Sequence, residues 1–140
     1  MAKLESNFWK QVKNNLKEFQ WVRLESWATK GVPDLMGFTE EGVIFTIELK
    51  VAKGRSVSFS PHQIAFHIEH QNSPCFILVK ALSPSTPKKY GVYLFHAKEV
   101  REIADKGLDA SAIYSTLSPV DWSVVRDSLL TELDALARYL

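Results

Sequence analysis

Between Val43 and Val51, apolar residues occupy every second position: Val43, Phe45, Ile47, Leu49 and Val51 alternate with Ile44, Thr46, Glu48 and Lys50. Side chains along a strand point to opposite faces in turn. This period of two therefore predicts a strand with one wholly apolar face turned to the core, and with Glu48 and Lys50 sharing the other. Upstream, Thr39-Glu40-Glu41-Gly42 reads as a hairpin turn. It places Asp34 on the preceding strand and returns it beside Glu48. Two carboxylates and an amine would then converge. A carboxylate pair concentrates negative charge that a hard divalent cation relieves through oxygen ligands, Mg²⁺ taking one or two of them and keeping water. Lys50 can orient an attacking water, help it lose a proton, or neutralise a phosphate as charge builds in a transition state. A plainer reading of Glu48 and Lys50 is an exposed ion pair on an edge strand.

The sequence on either side extends the pattern. Gly31-Val32-Pro33-Asp34, Glu48-Leu49-Lys50, the basic glycine-containing loop Val51-Ala52-Lys53-Gly54-Arg55 and Ser60-Pro61-His62-Gln63 follow one another in order. Together they resemble the PD-(D/E)XK nuclease superfamily, most closely its VRR-NUC and Holliday-junction-resolvase-like branches. The ordered match covers Gly31 to Gln63, about a quarter of the chain, and a looser likeness runs from Glu5 through the segment Cys75 to Lys80. The resemblance implies an α/β, restriction-endonuclease-like fold, a mixed β-sheet flanked by helices. It implies a metal-dependent DNA endonuclease that hydrolyses phosphodiester bonds, selective for branched or junction DNA in recombination, repair or replication. Asp34, Glu48, Lys50 and Gln63 take the catalytic positions. Mg²⁺ or Mn²⁺ is held by Asp34, Glu48 and the carbonyl of Leu49, and no organic cofactor is implied. Members generally bring a Glu from the first helix to the metal. Glu5 fits that position best here, and Glu25 is a second candidate, as a ligand or as an outer hydrogen-bond partner. The resolvase-like branch also implies a homodimer, since two-strand cutting needs two sites. The alternative on the same fold is a catalytically silent module that binds DNA or a partner.

One hundred and forty residues with 46% hydrophobic content suit a single domain. Residues 1–96 are expected to form the nuclease core and 97–140 a helical C-terminal extension of it. No signal-like or membrane-spanning apolar run is evident, which predicts a cytoplasmic protein. The lone Cys75 reads as a buried thiol rather than a disulfide or zinc ligand. Net charge is only +1, but residues 1–96 hold twelve Lys/Arg against eight Asp/Glu, whereas 97–140 hold five against eight. The motif-bearing part is thus basic (+4) and the tail acidic (−3), a balance that suits a phosphate backbone or an ordinary solvated surface. Lys30, Lys53, Arg55 and Lys88 are the candidate phosphate contacts.

Leu4, Phe8, Val12, Leu16 and Phe19 recur at helical spacing and predict a helix from about Lys3 to Phe19. Trp21 to Trp27 alternates as a first strand. Pro61 opens a helix with Ser60 as N-cap. On it Ile64 and Ile68 mark the buried side, while Gln63, His67 and His70 share a polar face suited to DNA-backbone contact. No Cys or paired-ligand motif supports zinc there. Phe76–Leu82 and Tyr90–His96 read as strands, Ala97–Lys106 as a helix stopped by Gly107, and Pro119–Leu140 as a long helix whose apolar face covers the sheet or a partner subunit. Trp9, Trp27 and Tyr93 are expected as exposed aromatics that add to such an interface.

Overall fold

The computed structural model describes residues 3–24, 30–82 and 89–137. Six strands form one mixed sheet in the order of the chain: β1 (Gln20–Arg23), β2 (Leu35–Phe38), β3 (Ile44–Ala52), β4 (Cys75–Leu82), β5 (Tyr90–His96) and β6 (Tyr114–Thr116). All neighbours are antiparallel except β3 and β4, which run parallel. The parallel pair is joined by α2 (Pro61–Glu69), as a parallel pair requires a crossover. The remaining helices are α1 (Lys3–Asn15), α3 (Val100–Lys106) and α4 (Trp122–Ala137), with single 3₁₀ turns at Ala97–Glu99 and Gly107–Asp109. The chain is therefore a mixed α/β protein, with a sheet flanked by helices and a C-terminal helix.

The alternation in β3 sorts the core into two layers. Phe45, Ile47 and Leu49 pack with Phe8 and Val12 of α1, with Leu16 just past its end and with Val125, Leu129 and Leu133 of α4. On the other face, Ile77, Val79 and Phe95 pack with Val57 and with Val100 and Ile103 of α3. Each fully buried aliphatic or aromatic side chain contributes roughly 1.5–3 kcal/mol, so both layers are needed to hold a sheet of this size. The face that carries Glu48 and Lys50 is consequently not an open polar face. Glu48 is 1% exposed, which removes the reading as an exposed edge pair.

Several boundaries differ from the periodicity. α1 ends at Asn15, not Phe19, because Leu16 and Phe19 are buried by a tight turn in which the Phe19 N–H reaches the Leu16 carbonyl at 3.4 Å. The indole N–H of Trp21 donates to the same carbonyl at 3.0 Å. The first strand stops at Arg23; the predicted Glu25–Trp27 part lies outside the described residues. Residues 97–140 are not wholly helical, since Tyr114–Thr116 adds an edge strand. α4 begins at Trp122 rather than Pro119.

The expected exposed aromatics are a correction as well. Trp9 is half-buried against the first core layer and meets Trp21 edge to face, and Tyr93 is half-buried against the second. Trp27 lies outside the described residues. The apolar stripe of α4 covers the sheet of its own chain. Trp9, Tyr93 and the described part of the α4 stripe are thus packed within the chain itself.

Gly107 ends α3 at φ +61, and a Cβ there would collide with the carbonyl oxygen of Arg55. The close approach lets the Leu108 N–H donate to that carbonyl at 2.8 Å, tying α3 to the loop that follows β3. Gly107→Ala combines a left-handed backbone with this clash. It should lower unfolding free energy by about 1–3 kcal/mol, read as a fall in the urea midpoint with an unchanged slope.

Candidate functional site

The hairpin that returns Asp34 to Glu48 is closed at Thr39–Gly42. The Gly42 N–H donates to the Thr39 carbonyl at 3.0 Å, the Thr39 hydroxyl accepts from the Val43 N–H at 3.0 Å, and Gly42 takes φ +85. Register pairs Leu35 with Ile47, so one step further along β2 places Asp34 opposite Glu48. Asp34 leaves the ladder there. Its carboxylate Oδ2 accepts the Leu49 N–H at 2.8 Å, while its carbonyl accepts the Leu24 N–H at 2.8 Å.

On the same face α2 lies over β3, and its first turn supplies Gln63. Ser60 and Gln63 form a capping box: the Ser60 hydroxyl accepts from the Gln63 N–H at 3.2 Å, and the Gln63 Oε1 accepts from the Ser60 N–H at 3.0 Å. That oxygen also accepts from the Lys50 ammonium at 2.8 Å, and the Gln63 amide nitrogen donates to Glu48 Oε1 at 2.5 Å. Lys50 itself stands 4.0 Å from Glu48, the outer limit of an ion pair. Gln63 is thus the direct partner of both groups. Lys50 also lies over the Phe59 ring at 4.8 Å, a cation–π contact that helps to fix the ammonium.

Burial decides the electrostatics. Desolvation, followed by the charge on Asp34, pushes the Glu48 carboxyl up to about 9 against the opposing pull of Lys50. Asp34 is also raised, chiefly by burial, although the Leu49 N–H and Lys50 pull it back. Glu5 is raised by burial and then by Asp34, and lowered by Lys50. The first-turn acid of α1 therefore feels both Asp34 and Lys50. Glu25 lies outside the described residues. Glu48 Oε2 is buried with no hydrogen-bond partner among the described residues.

Asp34, Glu48, Lys50 and Gln63 are brought together as expected, with Leu49 bonded to Asp34 through its backbone. The proposed phosphate contacts fare differently. Lys30 and Lys53 are exposed, Arg55 is exposed but forked onto Asp109 at 2.6 and 3.1 Å, and Lys88 lies outside the described residues. His67 is the clearest correction. It is fully buried, and neither ring nitrogen has a partner among the described residues, so it is not a DNA-facing polar residue. Helical spacing from Gln63 carried the signal, since a residue four positions after an inward-facing side chain faces inward too. Phe59 was not singled out from the sequence. No family model matches the chain, and no curated protein is significantly similar to it.

Burial, then the charges of Lys50 and His70, push His67 down to about 4. Because the folded value lies below the ordinary 6.5, the fold binds fewer protons than the unfolded chain between these limits. The His67 contribution to stability is full above pH 6.5 and is lost as pH drops toward 4. His67→Leu should abolish this acid-side loss, on the order of 2 kcal/mol, measured as the difference between the two chains in urea unfolding across that window.

Proposed function

We propose that the chain is a metal-dependent DNA endonuclease of the PD-(D/E)XK type, hydrolysing phosphodiester bonds. The observation that carries this reading is the convergence of Asp34 and Glu48 on one sheet face, with Gln63 joining Glu48 to Lys50 and with Glu48 Oε2 left without a partner. Burial and the charge of Asp34 raise the Glu48 carboxyl, a divalent cation beside the pair would relieve that charge, and oxygen donors of this kind suit Mg²⁺ or Mn²⁺. Asp34 and Glu48 would hold it with the Leu49 carbonyl; among the described residues no third His, Cys, Asp or Glu, Glu5 included, stands with them in ligating reach. Bound there, the ion would neutralise phosphoryl oxygens and make water more acidic.

The side chains supply the rest. Lys50 is held by Gln63 and Phe59 where it can orient the attacking water and balance the charge that gathers on the phosphoryl group. Water oxygen bonds to phosphorus as the phosphorus–oxygen bond to the leaving strand breaks, and that strand's oxygen takes up a proton. Gln63 also limits the motion of the ammonium, because its amide is already fixed by the Ser60 cap. Exposed Lys30 and Lys53 are available to the phosphate backbone.

The test is cleavage of labelled duplex, flap, single-stranded and four-way-junction DNA with Mg²⁺, Mn²⁺ or EDTA. Cleavage should need the divalent ion, and Asp34→Asn, Glu48→Gln or Lys50→Met should each reduce it about a hundredfold or more while circular dichroism is unchanged. Full activity in the Glu48 or Asp34 variant would refute the reading.

A second outcome needs no substrate. Because Glu48 sits at about 9, it carries a proton at neutral pH until a cation displaces it. Calorimetric titration of Mg²⁺ at pH 7, in buffers of different ionisation enthalpy, should report about one proton released by the wild type. The Glu48→Gln chain should release none.

A further inference from the structure

A hollow of about 440 Å³ lies beyond the C-terminal end of β3, lined by Ala81, Gly91, Tyr93, Leu117, Arg55 and Lys89 among others. Ala81 and Gly91 are directly paired across β4 and β5, and their lack of side-chain bulk is what leaves the space. A Cβ at Gly91 would approach the Thr116 carbonyl oxygen to 2.8 Å, so the position is closed to larger residues. Tyr93 offers an aromatic surface held in place by stacking on Phe95, with the rings 11° from parallel. Leu117 adds apolar surface and is 76% exposed.

Two cations share this lining. Arg55 is oriented by Asp109, to which it gives Nε and Nη2 at 3.1 and 2.6 Å. A guanidinium has five N–H donors, so some remain for another acceptor. Lys89 is exposed. The volume falls within the range of about 300–1,000 Å³ typical of small-molecule sites. An inorganic anion would not need the apolar floor, and a purely apolar ligand would not need the cations.

We infer that this hollow binds a nucleotide, its base against Tyr93 and Leu117 above the Ala81–Gly91 floor and its phosphate at Arg55 and Lys89. The ligand is either a free mononucleotide or an unpaired nucleotide of a strand. Lys50, Val79 and Tyr93 stand in one row across β3, β4 and β5. Their ~4.8 Å strand spacing puts Tyr93 roughly 10 Å from Lys50. Val79 between them is fully buried, so the Lys50 site and the hollow are separate places on this face. The inference concerns binding and is independent of hydrolysis at Asp34 and Glu48.

The experiment uses the full chain in EDTA, so that metal-dependent cleavage plays no part. Deoxyadenosine monophosphate, deoxyadenosine and inorganic phosphate are titrated calorimetrically. A duplex with a single-stranded end carrying 2-aminopurine, and its blunt counterpart, are followed by fluorescence. The mononucleotide should saturate with a Kd at or below about 1 mM, with nucleoside and phosphate each about tenfold weaker or more. Arg55→Gln and Lys89→Gln should each weaken it several-fold, and Asp109→Asn, which releases Arg55, should tighten it. A response from the overhang that the mononucleotide competes away identifies strand as the source, whereas binding by the mononucleotide alone identifies the free ligand. Absence of saturable nucleotide binding, phosphate binding as tightly as the nucleotide, or an affinity untouched by the Arg55→Gln/Lys89→Gln double variant would overturn the inference. Lys89 is a surface residue, so its variant tests the site without threatening the fold. Binding is read in EDTA, where no cleavage occurs, which keeps a failure here distinct from a failure of the nuclease reading.

Discussion

The site depends on one side-chain amide. Gln63 accepts from the Ser60 backbone and from Lys50 and donates to Glu48, so a single residue caps α2, holds the ammonium and satisfies one oxygen of a buried acid. Hydrogen bonds to charged groups are worth about 1.5–3 kcal/mol each, and losing one inside a protein leaves its partner desolvated. Three such partners are therefore bound to the position of one helix turn. Gly31 makes that position possible: at φ +84, a Cβ on it would strike the His62 carbonyl. The loop leading to Asp34 thus rests directly on the first turn of α2, and Asp34 and Gln63 are positioned by the same contact.

Against this ordering stands an electrostatic conflict that the chain leaves unresolved on its own. Glu48 is nearly inaccessible and faces Asp34, and the Lys50 ammonium is bonded to Gln63 at 2.8 Å and stands 4.0 Å from the acid rather than bonded directly to it. Desolvation outweighs the attraction of Lys50, and the acid is held protonated. A structural ion pair would have gained by closing that gap. Instead Lys50 is kept back, on the Phe59 ring and the Gln63 amide. An arrangement of this kind stores local instability at a site, which is the usual mark of function rather than of stability.

How much of this was legible follows from the range of each signal. The β3 strand, its hairpin partner and the cap at Ser60 are local: a period of two, a turn containing glycine and a Ser-x-x-Gln box all lie within a few residues. The first two carry Asp34, Glu48 and Lys50 to one place, whereas Gln63 was singled out through the family resemblance. The end of α1 was not legible, since Leu16 and Phe19 continue the helical spacing while a tight turn and the Trp21 indole bond take over their carbonyl and core contacts. β6 is three residues long and carries no pattern of its own; it exists because β5 offers an edge. His67 was misread because polarity suggested a surface, whereas α2 packs against α3 and the turn at Ala97–Glu99, contacts that no local pattern reveals. The Arg55–Asp109 pair joins residues 54 positions apart, and no local rule could reveal it.

Parity links the two ends of the molecule. In a strand buried on both sides, a slip of one residue exchanges its faces, which here would drive Glu48 and Lys50 into the layer filled by Phe8 and Leu129 and bring Ile47 and Leu49 under α2. The turn at Thr39–Gly42 and the wholly apolar set Phe45, Ile47 and Leu49 both oppose that slip, so the register that builds the core is also the register that builds the site. The same parity carries across the sheet. Glu48, Lys50 and Ala52 on β3 share a face with Ile77, Val79 and Ala81 on β4 and with Phe95, Tyr93 and Gly91 on β5. Along this face the side chains pass from acids and an amine, through large apolar residues, to a methyl and a hydrogen. Chemistry at one end and open space at the other are thus consequences of a single alternation, fixed where β2 turns into β3.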